Sequence, residues 1–468
     1  MNLRPNRRDF LAVALTAVVA PRLTMAETGL AARPPARPRS DAAAVIARAA
    51  LEGQVACAVI DPAGGAPAAD RLAGAPMPPA STLKAVTALY ALDRLGRDRR
   101  FRTRILRAGD MLILAGGGDP VLSTDDLARL AADLAATGIP SPARFAVWGG
   151  ALPQVAEIAP AQADHLAYNP SLSGMILNFN RVHLGWRRAN GALQLSLEAR
   201  ARAHSPRAYT ITAAPGDQRD LFSYDGEGRH EAWTVSRAAM AQPGSRWLPV
   251  RRPEFYAGDV FQTLCRAKGL ALPAPEVINR LPEGGQVVAH ESLPLLDILA
   301  DMLRYSTNLT AEVVGLHASG AKDIAGSALA MQVWLKERGQ GAGFDLRDHS
   351  GLDAASRVTA QGMAEIMAGP GLAAGLPALL KPDPLAEDLG RDPAFRAQVA
   401  AKTGTLNFVS NLAGYVGPPE HRRGFAILCA DMPRQEATVG HELPPGVLDW
   451  TRRAKRLQRD LTENWAAA

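Results

Sequence analysis

The chain has 468 residues, 47% of them apolar and 21% charged, and a formal net charge of +6. This is ordinary globular composition for roughly three domains, and it excludes a disordered tail protein, a collagen and a multi-span membrane protein. Basic residues nowhere interleave with aromatics, so nothing supports a nucleic-acid partner, and three cysteines (Cys57, Cys265, Cys429) cannot make a disulfide scaffold.

Asn6-Arg7-Arg8-Asp9-Phe10-Leu11 opens into a largely apolar run from Phe10 to Ala20, too short to span a bilayer as a helix. With small residues near Thr24-Met25-Ala26, residues 1–26 read as a cleaved export signal. The paired arginines resemble the twin-arginine type, with an ordinary Sec signal as the alternative. Either places the mature chain in the periplasm or cell envelope. Arg33, Pro34, Pro35, Arg37, Pro38 and Arg39 make 27–40 a proline-stiffened tether.

Asp41 caps a predicted helix over Ala42–Ala50. Val55 to Ile60 is apolar up to Asp61-Pro62 and predicts a buried strand. Pro78-Pro79-Ala80 halts the chain before Ser81, and Ser81 to Leu95 holds no Pro or Gly until Gly96, which suits the C′ position. That helix is apolar on most sides and belongs in a core. Leu112-Ile113-Leu114 leads to the turn Gly116-Gly117-Gly118-Asp119-Pro120, and 124–137 reads as helix. Short strands broken by Pro and Gly fill about 145–285. Helical periodicity returns at Tyr256–Lys268, Leu293–Ser319, Gly326–Arg338 and Thr359–Met367, and Phe425–Cys429 is a second buried strand. The tail, Val447 to Trp465, puts Trp450, Ala454, Leu457, Leu461 and Trp465 on one face, to pack on the sheet or lie on a membrane.

Three short motifs carry chemistry. In Ser81-Thr82-Leu83-Lys84 the serine and lysine share one face of a helix start. A serine hydroxyl is a poor nucleophile without a base beside it, and a lysine in a dry pocket can lose its proton and serve. Alone the spacing is weak, since it arises by chance about once in such a chain. Ser306-Thr307-Asn308 offers a hydroxyl to pass a proton to a leaving amine and an amide to hold a substrate carbonyl. Lys402-Thr403-Gly404-Thr405 offers an ammonium and hydroxyls for a peptide's terminal carboxylate, with a glycine that permits close backbone approach. In this arginine-rich chain lysine stands only at 84, 268, 322, 336, 381, 402 and 455. Two of these fall in the motifs, where an amine that can deprotonate has no arginine substitute.

The order of the motifs resembles penicillin-binding proteins and serine β-lactamases. Ser81 and Ser306 are 225 positions apart, and Asn308 and Lys402 94 apart. Class A β-lactamases hold their first two motifs only tens of residues apart. The arrangement is similar to the low-molecular-mass class C penicillin-binding proteins, the D-alanyl-D-alanine carboxypeptidase/endopeptidases of peptidase family S13. The similarity extends to GGGDPVL at Gly116–Leu122, YNPSLSGMILNFN at Tyr168–Asn180, Pro253-Glu254-Phe255-Tyr256, Ser350-Gly351-Leu352 and Leu412-Ala413-Gly414-Tyr415.

The resemblance implies an α/β (α+β) DD-peptidase-like domain with an antiparallel sheet flanked by helices, built from 41–97 and 286–468. Residues 98–285 would be an inserted β-rich module of one or two smaller domains. It implies Ser81 as nucleophile, Lys84 as general base, Ser306 as proton relay and Asn308 as holder of the substrate's backbone carbonyl. Lys402 and Thr403 would bind the terminal carboxylate. The N–H groups of Ser81 and Thr405 would form the oxyanion hole, beside Gly404, and Leu406 would line the side-chain pocket. The substrates implied are peptidoglycan stem peptides and their crosslinks, and β-lactams would acylate Ser81. One departure matters. Relatives read Ser-Gly-Leu-Ser-Arg where this chain has Ser350-Gly351-Leu352-Asp353-Ala354. The absent arginine puts the preference for an acidic diamino acid in doubt, unless Arg357 reaches the same place.

The nine histidines and the cysteines show no H-E-x-x-H or C-x-x-C spacing, so no metal or other cofactor is expected. The rival readings are a serine β-lactamase, disfavoured because no Glu-x-x-x-Asn follows the second motif, and a non-catalytic peptidoglycan-binding scaffold, which has no need of a nucleophile–base pair. Oligomeric state is not legible in the sequence.

Overall fold

In the computed structural model, which describes residues 42–63, 69–190 and 192–466, the expected signal, tether and Asp41 cap lie outside the described residues. Successive side chains of a strand point to opposite faces. On Gln54–Ile60, Val55, Cys57 and Val59 therefore enter one core, and Ala56 and Ala58 another. Arg423–Ala430 divides the same way: Phe425, Ile427 and Cys429 on the first side, Ala426, Leu428 and Ala430 on the second. The two pair antiparallel, with Cys57 opposite Ile427 and Cys429 opposite Val55. Both thiols are buried, and burial pushes that of Cys429 up to about 12.

These strands belong to a six-stranded antiparallel sheet. Its order is Lys381–Pro382, Val399–Leu406, Val409–Val416, Arg423–Ala430, Gln54–Ile60, Ala69–Arg71. A sheet apolar on both faces must be covered on both. Ala42–Ala49 and the tail helix Val447–Ala466 cover one; Leu83–Leu95, Leu295–Tyr305 and Ala360–Ile366 build the core on the other. The small-residue face lets backbone come close: a Cβ on Gly424 would fall 2.5 Å from Ala368 N. Trp450, Ala454, Leu457, Leu461 and Trp465 are all buried in the sheet-side core. The tail's apolar stripe is thus spent on the sheet rather than presented to a membrane. No helix among the described residues is long and apolar enough to cross one.

Between the first two motifs the chain builds a second core. A five-stranded sheet runs Glu276–Val277, Arg144–Trp148, Met111–Ala115, Arg102–Ala108, Gly285–Glu291, so its returning edge strand passes residue 285. Thr124–Ala136 and Pro253–Ala267 pack together beside it, burying Leu127, Leu134, Tyr256 and Phe261. Ser123 and Asp126 start the first of these helices with a reciprocal capping box. Two three-stranded sheets follow: Gly244–Pro249, Arg181–Ala189, Ala192–Glu198, and Ile211–Gly216, His230–Ser236, Phe222–Glu227.

One predicted element is divided. The periodicity over Leu293–Ser319 is two helices, Leu295–Tyr305 and Asn308–Ser319, separated at Ser306, whose φ of 58° is left-handed. Periodicity is blind to a single residue that reverses the chain and lets the register resume.

Candidate active site

The first motif is a tight turn feeding a buried helix. Ala80–Thr82 is a 3-10 turn running into Leu83–Leu95, whose side chains from Leu83 to Ala91 are all buried. The turn is tied down from two sides. Thr82 Oγ1 donates to Pro79 O at 2.6 Å, and Asn411 Nδ2, on the central strand Val409–Val416, donates to the carbonyls of Pro78 and Pro79 at 2.8 and 2.9 Å. Two glycines complete the fit. A Cβ on Gly404 would lie 3.0 Å from both Pro79 O and Ser81 N, so strand and turn touch backbone to backbone. A Cβ on Gly351 would lie 1.9 Å from Ala80 O, and its φ of 70° suits glycine besides.

Lys84 Nζ has no exposed surface. It lies 3.0 Å from Ser81 Oγ and donates to Asn308 Oδ1 at 2.8 Å and to Ser350 O at 2.7 Å. Three stretches that are far apart in sequence therefore converge on one amine. Asn308 Nδ2 in turn donates to Tyr168 O at 3.0 Å, which ties the site to the inserted stretch. Across the second motif, Lys402 Nζ donates to Ser306 Oγ at 3.1 Å and to Thr403 O at 2.7 Å. The left-handed turn at Ser306 puts this hydroxyl and Asn308 at the junction of two helices.

These groups border a cleft of about 1470 Å³ lined by Ser306, Asn308, Lys402, Thr403, Thr405 and Leu406 on the catalytic side. Ser81 is 6% exposed and is joined to this lining through Lys84, whose amine reaches both its hydroxyl and Asn308. Gly404 turns toward the Ser81 turn, so what it supplies is room for that turn. The strand Val399–Leu406 borders the cleft with its outer edge, which Lys381–Pro382 covers only opposite Ala400 and Ala401. Asp353 and Ala354, which stand where the resemblance implied Ser-Arg, line the cleft. Arg357 does not fill that role: its guanidinium donates back to the carbonyls of Ala354 and Ser356.

Sequence reasoning missed a carboxylate pair beneath the site. Glu312 accepts from the N–H groups of His349 and Ser350, and so fixes the peptide whose carbonyl receives Lys84. Asp348 accepts from Ser350 Oγ, Leu352 N, Asp353 N and Ser356 Oγ. Both acids are fully buried. Desolvation first, and Asp348 second, push Glu312 up to about 8, and desolvation likewise raises Asp348. Desolvation also pushes His349, which faces Ser327 Oγ at 2.7 Å, down to about 3. The signal available was a glutamate inside the apolar run Leu309–Val314.

A carboxyl raised in the folded state holds its proton longer there than in the unfolded chain. Stability is therefore lost as pH climbs from the ordinary 4.5 through about 8. Glu312→Gln keeps an accepting oxygen but cannot ionise. Its melting temperature, followed by scanning calorimetry, is expected to gain on wild type steadily across that window and to show no such trend below it. A difference independent of pH would count against this account.

The family model for "D-Ala-D-Ala carboxypeptidase 3 (S13) family" matches residues 39–443. A D-alanyl-D-alanine carboxypeptidase of Actinomadura sp. (strain R39) is 30% identical over 438 residues, covering 83% of this chain and 80% of that protein. A carboxypeptidase of Mycobacterium tuberculosis is 28% identical over 408 residues, covering 82% and 77%. Among solved structures, penicillin binding protein 4 of Haemophilus influenzae superposes with a TM-score of 0.72 at 18% identity, covering 90% of this chain and 99% of that one. That likeness is one of fold: an antiparallel sheet flanked by helices, carrying a long insertion. By sequence, the chain belongs to the S13 family of serine-type D-Ala-D-Ala carboxypeptidases.

Proposed function

We propose that the protein removes the terminal D-Ala from peptidoglycan stem peptides and also cleaves D-Ala-linked crosslinks, through an acyl-enzyme on Ser81. The observation that carries this is the setting of Lys84 Nζ. A neutral amine has two N–H bonds and one lone pair. Asn308 Oδ1 and Ser350 O accept two N–H bonds. Ser81 Oγ lies 3.0 Å from the same nitrogen. At that distance the lone pair of the neutral amine can take the hydroxyl proton.

Ser81 Oγ attacks the carbonyl of the terminal D-Ala–D-Ala bond as its proton passes to Lys84. The N–H groups of Ser81 and Thr405 stabilise the oxyanion, each worth about 3 kcal/mol in the transition state. Lys402 and Thr403 hold the free carboxylate, Asn308 the donor's backbone carbonyl and Leu406 its side chain. Ser306, in contact with Lys402, gives its proton to the departing amine as the C–N bond breaks and is reprotonated with the proton that Lys84 took, which leaves Lys84 neutral again. Water then attacks the ester and gives its proton to Lys84, which returns it to Ser81 Oγ as the ester C–O bond breaks and the shortened peptide is freed. A free D-Ala and the amine of a crosslink are chemically equivalent leaving groups, so one acyl donor serves both activities. A β-lactam carries the same amide and carboxylate and leaves a slowly hydrolysed adduct on Ser81. The inserted module, which runs through its edge strand Gly285–Glu291, forms the wall facing the catalytic domain, and the arginine-paired leader directs the chain to the periplasm.

The test is one incubation of the mature protein with a pentapeptide muropeptide and with a crosslinked dimer, read by mass spectrometry. Loss of one D-Ala from the first and splitting of the second are expected. Release of D-Ala without splitting would remove the endopeptidase half. Rapid turnover of penicillin with neither reaction would favour the β-lactamase reading.

A further inference from the structure

The cleft is roofed on one side by a segment that neither core claims. After the short helix Met432–Ala437 the chain crosses to the inserted module before entering the tail helix at Val447. Residues 438–443 all line the cleft. At the near end Asn407 Nδ2 donates to the carbonyls of Thr438 and His441 at 3.2 and 2.8 Å. At the far end Arg246 Nη2 donates to both oxygens of Glu442, at 2.7 and 2.8 Å, and His165 Nε2 lies 3.1 Å from Oε2.

The far-end holder is built entirely on the inserted module. The Arg246 guanidinium lies over the Phe222 ring, 5.0 Å from its centroid, and His165 stacks on the same ring at 5.0 Å. Burial alone would raise the Glu442 carboxyl, but His165 and Arg246 outweigh it and hold it below its ordinary value. Gly440 and Gly446, at φ 77° and 79°, stand where the segment turns. The segment joins no sheet. It is a strap, fastened to one wall by amide hydrogen bonds and to the other by an ion pair.

We propose that Arg246 and Glu442 determine specificity, latching the strap so that short donor peptides enter the cleft more readily than stems still attached to glycan. This rests on the function proposed above. There, the substrate's carboxylate sits at Lys402 and its donor side chain at Leu406. A peptide laid along this edge runs from Lys402 toward Leu406 and then meets the strap, which is anchored at the next residue, Asn407. A short donor ends beneath it. A donor carrying glycan has to continue past it, and that requires the ion pair to open. The pair is only about a quarter exposed (22% and 25%), so its opening has a measurable cost.

The test compares Glu442→Gln, Arg246→Gln and the reversed pair Arg246→Glu with Glu442→Arg. Two substrates are used: a diacetylated tripeptide extended by D-Ala–D-Ala, and a pentapeptide on its disaccharide. Melting curves establish that each variant is folded. In both single variants kcat/KM for the short peptide is expected to hold, while that for the glycan-linked peptide rises about five-fold. The reversed pair is expected to return the ratio toward wild type. A ratio that does not change, one that falls, or a rise that the reversed pair fails to cancel overturns the latch. If wild type releases D-Ala from neither substrate, the failure is that of the proposed function, and the latch falls with it.

Discussion

Ser81→Ala is expected to release no D-Ala and to take up no penicillin, while melting within a degree or two of wild type. The loss in turnover should be on the order of 10⁴- to 10⁶-fold, the scale seen when a serine nucleophile is removed and only binding and the oxyanion site remain. The substitution deletes one nearly buried hydroxyl and leaves Lys84 its bonds to Asn308 and Ser350. The fold therefore has no reason to respond. Intact-protein mass spectrometry after exposure to penicillin gives the result directly: a single adduct on wild type and none on the variant. An adduct of undiminished yield on Ser81→Ala would mean that another residue is the nucleophile.

The second large effect concerns the base. Lys84→Arg is expected to slow acylation by a chromogenic β-lactam about a thousandfold, within the range a positioned base contributes. A guanidinium stays protonated near neutral pH and has no lone pair to accept the serine proton. Its fork also overfills a site with no exposed surface. Lys84→Met removes base and donors together, stranding Asn308 Oδ1 and Ser350 O, each at about 1–3 kcal/mol. It should be as slow as the arginine variant and melt lower. The comparison separates chemistry from stability: if both variants acylate at the wild-type rate in stopped-flow measurements, Lys84 is a structural cation and the base lies elsewhere.

Strand alternation and helix periodicity made most of the framework legible. Val55–Ile60 and Phe425–Cys429 announced themselves as buried because they are apolar on both parities, and a strand with two apolar faces needs two layers of cover. The tail helix could be placed on either a sheet or a membrane from its stripe alone, and burial of Trp450 and Trp465 decides for the sheet. The motifs were legible because hydroxyl and amine must meet at fixed spacing. What pairs one motif with another was not. Nothing in Ser350-Gly351-Leu352 says that its first carbonyl receives Lys84, since a backbone oxygen has no sequence signature. Glu312 and Asn411 act on backbone atoms of segments 37 or more positions away. Such partners are chosen by tertiary approach, which no local pattern encodes. The break at Ser306 was invisible for the opposite reason: local pattern continued through it.

The bond from Asn308 to Tyr168 has a consequence for anyone wishing to shorten this protein. Trimming away the long excursion between the nucleophile and the second motif would look harmless on a topology diagram, because the six-stranded scaffold closes without it. Yet the amide that steadies the base would swivel once its outer carbonyl was gone. A miniaturised version would need a replacement oxygen at that spot before it needed anything else.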